Sequence, residues 1–406
     1  MPRLNESLID DEEMIACGDS RQTLRALATA GAQVRESIRL AERAGVAQVA
    51  GGVRPRSVLV ATLGGSSVLA DVLEMLAEPG SPVPVTTRHN LPLPGWVGTL
   101  DLVIAVSHSG RAPGPLALAA EATRRGAGLL TVGAPDSPLA DVCRRARGIH
   151  VDVPAGGTST RTSLWSLLTP ALRAADGLGL VSCPESVLAR VADRLDESAM
   201  THRPGSASYD NPAKTLAADL AEGVPVVLGD GPVCGVAARR AALMLARTAR
   251  VPATWGELPD AASQVVALLD GPYTEAGQRS QAEREGREEP PADIFRDPYV
   301  DGVADPRMAL LVLRDAPEVT GASHPGPTDD GDDRAVGTSL ADVVVRTARE
   351  AGVRVSEHTA RPGHPVERLA DLLSLTDFAA TYLALGLGLD PAISPHLADL
   401  RDHHRQ

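Results

Sequence analysis

Two short turns rich in glycine and serine contain the residues whose types and spacing best suit binding chemistry. Each turn directly follows an apolar run with strand character and directly precedes a helical pattern. Unpaired N–H groups at a helix start, together with hydroxyl donors, bind anions, although the same pattern also occurs as a plain tight turn with a serine cap. The candidate anion ligands of the two turns are Gly64, Gly65, Ser66, Ser107 and Ser109.

The elements around these turns alternate between short β-branched runs and helical patterns. Strands are predicted at 57–63, 83–87, 102–106, 129–132, 149–153, 225–228, 265–269, 309–313 and 353–356, with a long amphipathic helix over 20–46 and further helices between the strands. This alternation predicts an α/β fold, and the second half repeats the first in outline. Because ligands collect at the carboxyl ends of parallel strands, both turns should face one crevice.

We therefore expect two similar doubly wound parallel-sheet subdomains, each a three-layer αβα unit. An N-terminal helical segment covers residues 1–55, the first subdomain 56–200 and the second 201–406. Charged insertions near 274–303 and 323–334 interrupt the second subdomain, and their Glu, Arg, Pro, Asp and Gly content predicts loops.

Composition narrows the class of partner. With 52 Asp and Glu against 39 Lys and Arg, the chain has a formal charge of −13, which disfavours nucleic acid as a partner. The four cysteines are widely separated and, like the terminal histidines, offer no metal-ligand spacing, so neither a metal nor a cofactor is expected. The acidic N-terminus and the lack of a long apolar run predict a cytoplasmic protein without a membrane segment.

Several short motifs occur along the chain in a fixed order: the Gly-Gly-Ser turn at 64–66, the Ser-x-Ser-Gly turn at 107–110, Arg161 after Pro154, Asn-Pro-Ala-Lys at 211–214, Glu-Leu-Pro at 257–259, and the run 373–385 followed by Asp390-Pro391. This order resembles that of the bifunctional phosphoglucose/phosphomannose isomerases of the sugar isomerase (SIS) superfamily. The resemblance implies SIS subdomains, a hexose 6-phosphate as ligand and a homodimer.

The resemblance also assigns roles to single residues. Ser66, Ser107 and Ser109 stand where relatives bind the sugar phosphate, and Arg161 stands where relatives place an active-site arginine. The family's threonine in the second turn is replaced by Ala112, which removes one hydroxyl donor. Lys214 is the only lysine in a chain whose other basic residues are arginine; either it contacts the ligand or it persists by chance.

The family's catalytic positions are substituted. Arg247 occupies the place of the glutamate base, Ser263 that of the ring-opening histidine and Arg401 that of the C-terminal lysine. A guanidinium cannot accept a proton, and the nearby Glu257 and Asp260 are more typical of structural carboxylates. The sequence predicts a protein that binds hexose 6-phosphates, and isomerase activity is implied by the resemblance alone. There are two alternatives: an active isomerase that uses other residues, and a regulatory or partner subunit.

Overall fold

The computed structural model describes residues 4–51, 54–154, 159–286, 307–316 and 339–396. The chain begins with four helices, α1 (Ser7–Asp10), α2 (Glu12–Gly18), α3 (Thr23–Ala28) and α4 (Ala30–Arg43). The single long helix predicted over 20–46 is therefore two helices. They meet at Thr29, whose hydroxyl donates 2.7 Å to the carbonyl oxygen of Ala26 and so competes with the helical backbone.

The first half of the chain forms a five-stranded parallel sheet in the order β2-β1-β3-β4-β5. Its elements are β1 (Val58–Ala61), α5 (Ser67–Ala77), β2 (Val85–Arg88), β3 (Leu102–Ser107), α6 (Pro113–Arg124), β4 (Gly128–Gly133), α7 (Pro138–Arg145) and β5 (Ile149–Asp152). All five predicted strands are present, and α7 is an additional helix whose N-cap is Ser137.

Two helices, α8 (Leu164–Gly177) and α9 (Glu185–Thr201), lead to a second parallel sheet in the order β7-β6-β8-β9. Its elements are α10 (Pro212–Ala221), β6 (Val224–Asp230), α11 (Pro232–Met244), β7 (Thr254–Leu258), α12 (Ala262–Leu269), α13 (Glu275–Arg284), β8 (Met308–Arg314), α14 (Leu340–Glu350), β9 (Arg354–Thr359) and α15 (Pro365–Gly386). A π-helical turn, Leu245–Ala249, extends α11.

Two expectations in this half were wrong, and one strand was missed. The apolar run predicted as a strand at 265–269 is part of α12, where Val265 and Leu269, four residues apart, are buried on one helical face while Leu268 is 41% exposed. A short apolar run does not by itself distinguish a strand from a helix. Strand β7 was not predicted, and the start of the first charged insertion is helix α13, capped by the Thr274 side chain. The rest of both insertions lies outside the described residues.

Alternate residues of each central strand enter different cores, which is the pattern of a sheet covered on both faces. In β1, Val58 and Val60 pack in one cluster and Leu59 and Ala61 in another. In β8, Leu311 shares the cluster of Val60, so one core runs through both halves. These alternating faces confirm the predicted fold class of two parallel-sheet α/β units with helices on both sides.

Helix α15 is the central helix of this shared core and contacts α9, α10 and α11. It is long and apolar enough to cross a membrane by composition, but 94% of that stretch is buried within the protein. Each fully buried leucine on it contributes about 1.5–3 kcal/mol relative to exposure to water. The helix thereby holds α11, which carries two arginines of the site described below, against the rest of the molecule.

Candidate functional site

The turn after β1 brings backbone close to an arginine from the second half of the chain. Residues Gly64–Ser66 form a 3-10 turn that leads into α5, and Gly64 has a φ of +65°, in the left-handed region that favours glycine. A Cβ on Gly65 would lie 2.8 Å from Thr160 Oγ1 and 3.0 Å from Arg247 Nη1. Glycine at 65 therefore allows the guanidinium of Arg247 to approach the turn.

A pocket of about 260 Å³ lies between this turn and α11. Its wall combines the turn, the residue after β2 and arginines from both halves; the lining residues are Leu63, Gly64, Gly65, Ser67, His89, Arg161, Arg239, Arg240, Leu243, Met244 and Arg247. We call it the arginine pocket. Among these described lining residues there are four guanidinium groups and no carboxylate, so the pocket suits an anionic ligand.

Two of the four arginines pair with carboxylates behind the pocket wall. Arg240 makes a two-point contact with Asp377 of α15, with distances of 3.1 Å from Nε and 2.8 Å from Nη2. Arg239 Nη1 pairs with Asp71 of α5, and its guanidinium carbon lies 5.8 Å from the centre of the Trp255 ring. These pairs fix α11 against helices of both halves.

Arg161 is oriented by main-chain carbonyl groups. Its Nη1 donates to the carbonyl oxygens of Arg247 at 3.0 Å and Pro391 at 2.9 Å, and its Nη2 donates to that of Ala392 at 3.2 Å. Its own carbonyl oxygen accepts a 2.7 Å bond from Arg240 Nη2. Carbonyl acceptors hold the guanidinium in place and leave it cationic.

His89 supplies a proton acceptor at the same pocket. Its Nδ1 lies 2.9 Å from the carbonyl oxygen of Thr62, and because a carbonyl cannot donate, Nδ1 carries the hydrogen. In the neutral imidazole, Nε2 then keeps its lone pair. His89 was absent from the predicted site, although it directly follows β2, and the rule that ligands collect at carboxyl ends of parallel strands would have indicated it.

Part of this chain is similar in sequence to known proteins. Residues 209–403 match the family of the bacterial phosphoglucose isomerase C-terminal SIS domain. A bifunctional phosphoglucose/phosphomannose isomerase from Caldicellulosiruptor bescii is 24% identical over 183 residues, covering 45% of this chain. The matched region spans 53%, about half, of the length of that relative.

The second half of the chain is thus similar in sequence to this SIS domain family.

Solved structures share the fold of this chain over nearly its whole length. A protein from Silicibacter pomeroyi described as a phosphosugar isomerase superposes with a TM-score of 0.60 at 18% identity, covering 91% of this chain and 99% of that chain. A glucose-6-phosphate isomerase from Chlamydia trachomatis gives a TM-score of 0.59 at 13% identity, covering 92% of this protein and 72% of that chain. At such low identity the likeness concerns the fold.

The residues that the resemblance assigns to catalytic positions lie in different places. Arg247 lines the arginine pocket, whereas Ser263 is exposed near the start of α12 and does not line it. Arg401 lies outside the described residues. Burial, with Glu78 and Asp260 nearby, raises the pKa of Glu257, but its carboxyl does not line the pocket either.

The predicted phosphate-binding serines make hydrogen bonds within their own turns. Ser66 is buried and its Oγ donates 3.0 Å to the carbonyl oxygen of Leu63, while Ser107 Oγ accepts from the Ala112 N–H at 3.2 Å. Ser109 is exposed, and its Oγ accepts from a backbone N–H two residues later at 3.3 Å. None of the three lines the arginine pocket, so their part in ligand binding stays a prediction.

Two further residues considered from the sequence lie elsewhere. His108 lines a separate pocket of about 390 Å³ beside α3 and α4, and burial lowers the pKa of its imidazole. The Lys214 side chain is fully buried, and its Nζ donates to the carbonyl oxygens of Pro204 and Ser206, both at 2.8 Å, and to Asp10 at 3.3 Å. This ammonium holds the N-terminal helices onto α10, away from the arginine pocket.

Proposed function

We propose that this protein binds a hexose 6-phosphate at the Gly64–Ser67 turn and the adjoining arginine pocket, and that it does not isomerise the bound sugar. The observation that supports the proposal is the meeting of this turn with Arg161 and Arg247 in one pocket. Backbone N–H groups at a helix start and guanidinium groups are the usual partners of phosphate in proteins.

The phosphate end of the ligand is proposed to lie between the amino ends of α5 and α6. Neither helix has a side-chain cap, and Ala112 stands at the N-cap of α6, where the family threonine would add a hydroxyl. The lost donor weakens phosphate binding by about 1 kcal/mol. Ser66, Ser107 and Ser109 would reach this phosphate after giving up their bonds within the turns.

The absence of turnover is proposed from the residue at position 247. Proton transfer between C1 and C2 needs a general base, and a guanidinium remains protonated at any working pH. Loss of one acid–base group typically lowers the rate by about 10² to 10⁴. The raised pKa of Glu257 favours the alternative of an active isomerase that uses another carboxylate. A coupled assay with fructose 6-phosphate distinguishes the two possibilities. Turnover above ~1 s⁻¹ contradicts the proposal that the protein does not isomerise the bound sugar.

Assembly, compartment and domain boundaries complete the proposal. We place the protein in the cytoplasm as a homodimer, in line with its resemblance to the family, and we divide it at residues 56 and 201 into the helical segment and the two SIS subdomains. A regulatory or partner subunit is the other role that such a phosphosugar-binding protein would have. A monomeric mass in light scattering at micromolar concentration contradicts the homodimer.

The binding proposal is tested by thermal shift with hexose, hexosamine and pentose phosphates. A hexose 6-phosphate at 100 times its Kd should stabilise the native protein by about 2.7 kcal/mol. Arg161→Gln should abolish the shift, measured against the melting temperature of the free variant, because Arg161 contributes a pocket cation. Arg346→Gln, at an exposed position on α14 with 61% of its side chain accessible, is the matched control. An unchanged shift in Arg161→Gln shows that the ligand binds elsewhere.

A further inference from the structure

We propose that the pocket beside α3 and α4 is a second ligand site, which binds a small organic anion at Arg21, Arg25 and His108. We call it the histidine pocket. Its volume is about 390 Å³, against about 260 Å³ for the arginine pocket, and none of the described residues lines both. The site is therefore separate from the one proposed for the hexose phosphate, and it does not depend on that proposal.

The histidine pocket lies at the carboxyl edge of the first sheet. His108 directly follows β3, and Val153 directly follows β5. Helices α3 and α4 and the residues at the start of α8 supply the rest of its wall. Open α/β sheets bind their ligands at this edge. The volume also lies within the range of about 300–1,000 Å³ that is usual for small-molecule sites.

Charge at the rim of the histidine pocket favours an anion. Arg21 and Arg25 line the pocket and are exposed, and neither forms an ion pair with a carboxylate in the described part of the chain. Arg25 Nη1 donates instead to the neutral amide oxygen of Gln22 at 3.2 Å. One carboxylate, Glu36, also lines the pocket, but Arg39 binds it with distances of 2.9 Å from Nε and 2.5 Å from Nη2. Guanidinium groups match the oxygens of carboxylate and phosphate, so the rim suits an acidic group.

The imidazole of His108 is the second recognition element of the pocket. Its Nε2 is buried, and no described residue makes a hydrogen bond with it. Burial also lowers the pKa of the imidazole, so the ring is neutral near pH 7 and has one donor and one acceptor nitrogen. A buried polar group without a partner is unfavourable. A hydroxyl or acid oxygen of a ligand in the pocket can supply the missing hydrogen bond once the ring turns about its Cβ–Cγ bond.

Hydrogen bonds fix the wall of the histidine pocket before a ligand arrives. Gln33 Nε2 donates to the carbonyl oxygen of Thr162 at 2.8 Å and to Thr29 Oγ1 at 3.2 Å. Gln33 Oε1 accepts from Ser166 Oγ at 3.2 Å, so this amide joins α4 to α8. The Asp19 carboxylate accepts from two backbone N–H groups at the start of α3, at 2.7 and 2.9 Å, and so fixes the turn that carries the rim. A wall that is already ordered lowers the entropic cost of binding.

The test is calorimetric titration of the full chain with citrate, glycerol 3-phosphate and uncharged glycerol. We expect citrate, glycerol 3-phosphate or both to bind with a Kd below ~1 mM, and glycerol not to bind in that range. The anion that binds more tightly identifies the acidic group as carboxylate or phosphate. In Arg25→Gln its affinity should fall at least tenfold, because the variant lacks one of the two rim cations, whereas Arg346→Gln should keep the affinity.

A second measurement locates the bound anion. The imidazole Hε1 signal of His108, assigned by its loss in His108→Phe, should shift in NMR spectra as the tighter anion is added. Saturating glucose 6-phosphate should change the affinity for that anion less than threefold. Circular dichroism and the melting temperature of each free variant show whether a loss of binding is a loss of fold.

The outcomes separate this inference from the proposed function. Failure of both anions to bind, an undiminished affinity in Arg25→Gln, an unshifted His108 signal or displacement by glucose 6-phosphate each overturns the second site. Arg25→Gln should keep the thermal shift with hexose 6-phosphate. If the unsubstituted protein shows no such shift, the proposed function fails and the second site still stands on the titrations with citrate and glycerol 3-phosphate.

Discussion

Replacing Arg240 with alanine should strongly destabilise the protein, because it leaves the carboxylate of Asp377 buried without its partner. The Arg240 side chain is 3% exposed and that of Asp377 10%. Breaking a buried pair by removing one partner costs about 3–5 kcal/mol. The carbonyl oxygen of Arg161 also loses its 2.7 Å bond, which adds about 1 kcal/mol. A total of about 4–6 kcal/mol is a large part of the stability of a typical domain.

The size of this loss should depend on pH with a definite sign. Burial raises the pKa of Asp377, and Arg240 lowers it in part, so the variant has the higher pKa of the two proteins. A carboxyl whose pKa is higher in the folded than in the unfolded state does not lower the free energy of unfolding while it is protonated in both states. Its destabilising effect develops as pH rises from the unfolded pKa through the folded pKa. The deficit of Arg240→Ala should therefore shrink as pH falls from about 7 towards about 4.

Urea unfolding of both proteins across this pH range measures the effect. The surface variant Arg144→Ala is the control, since its partner Asp141 is 55% exposed and such pairs contribute about 0–1 kcal/mol. The double variant Arg240→Met/Asp377→Leu should recover most of the lost stability, because an apolar pair needs no charge compensation. A loss below about 1 kcal/mol in Arg240→Ala, or a deficit that grows towards low pH, refutes this account.

Three shorter predictions concern the turn, a buried histidine and the single lysine. Gly65→Ala should abolish the hexose phosphate thermal shift, because its Cβ would lie 3.0 Å from Arg247 Nη1. The free energy of unfolding in urea should fall by about 1–3 kcal/mol. Retained binding would contradict the close approach of Arg247 to the turn. Burial, with a smaller contribution from His358, lowers the pKa of His202 to about 4, so the unfolded state binds the extra proton and stability should fall by up to about 2 kcal/mol between pH 6.5 and 5. The variant His202→Phe should show a shallower pH slope in the same assay, and an equal slope would assign the effect to other groups. Lys214→Ala should lower the unfolding free energy by about 2–4 kcal/mol, since three acceptors lose their buried donor. The variant should keep its affinity for hexose phosphates, measured by calorimetry. A loss of affinity without a loss of stability would indicate that Lys214 contacts the ligand.

Local sequence was enough to place most of the strands and helices. In β1, and in β3 up to its last residue Ser107, apolar residues follow one another without polar interruption, as expected for strands buried on both faces. Helix α5 begins at Ser67, where the glycine turn predicted it. The run at 265–269 was misassigned because its apolar residues fit both periods, and only the burial of Val265 and Leu269 on one face shows that it is helical.

The candidate site was predictable in part for a similar reason. A glycine turn between a strand and a helix is a local feature, so Gly64 and Gly65 could be identified directly, and Arg161 followed from the order of motifs. Arg239 and Arg240 carry no local signature, and they join the site because α11 packs against α5. His89 follows a predicted strand, but only the sheet order shows that this strand, β2, lies next to β1.

The sequence by itself determined the parallel α/β architecture and the glycine turn after β1, because each depends on neighbouring residues or on their order. The tertiary structure alone decided which charges meet. Arg240 finds Asp377 across 137 residues of chain, and Lys214 finds Asp10 across 204. Such partnerships depend on how helices from distant parts of the sequence pack around one core, and the periodicity of apolar residues carries no information about them.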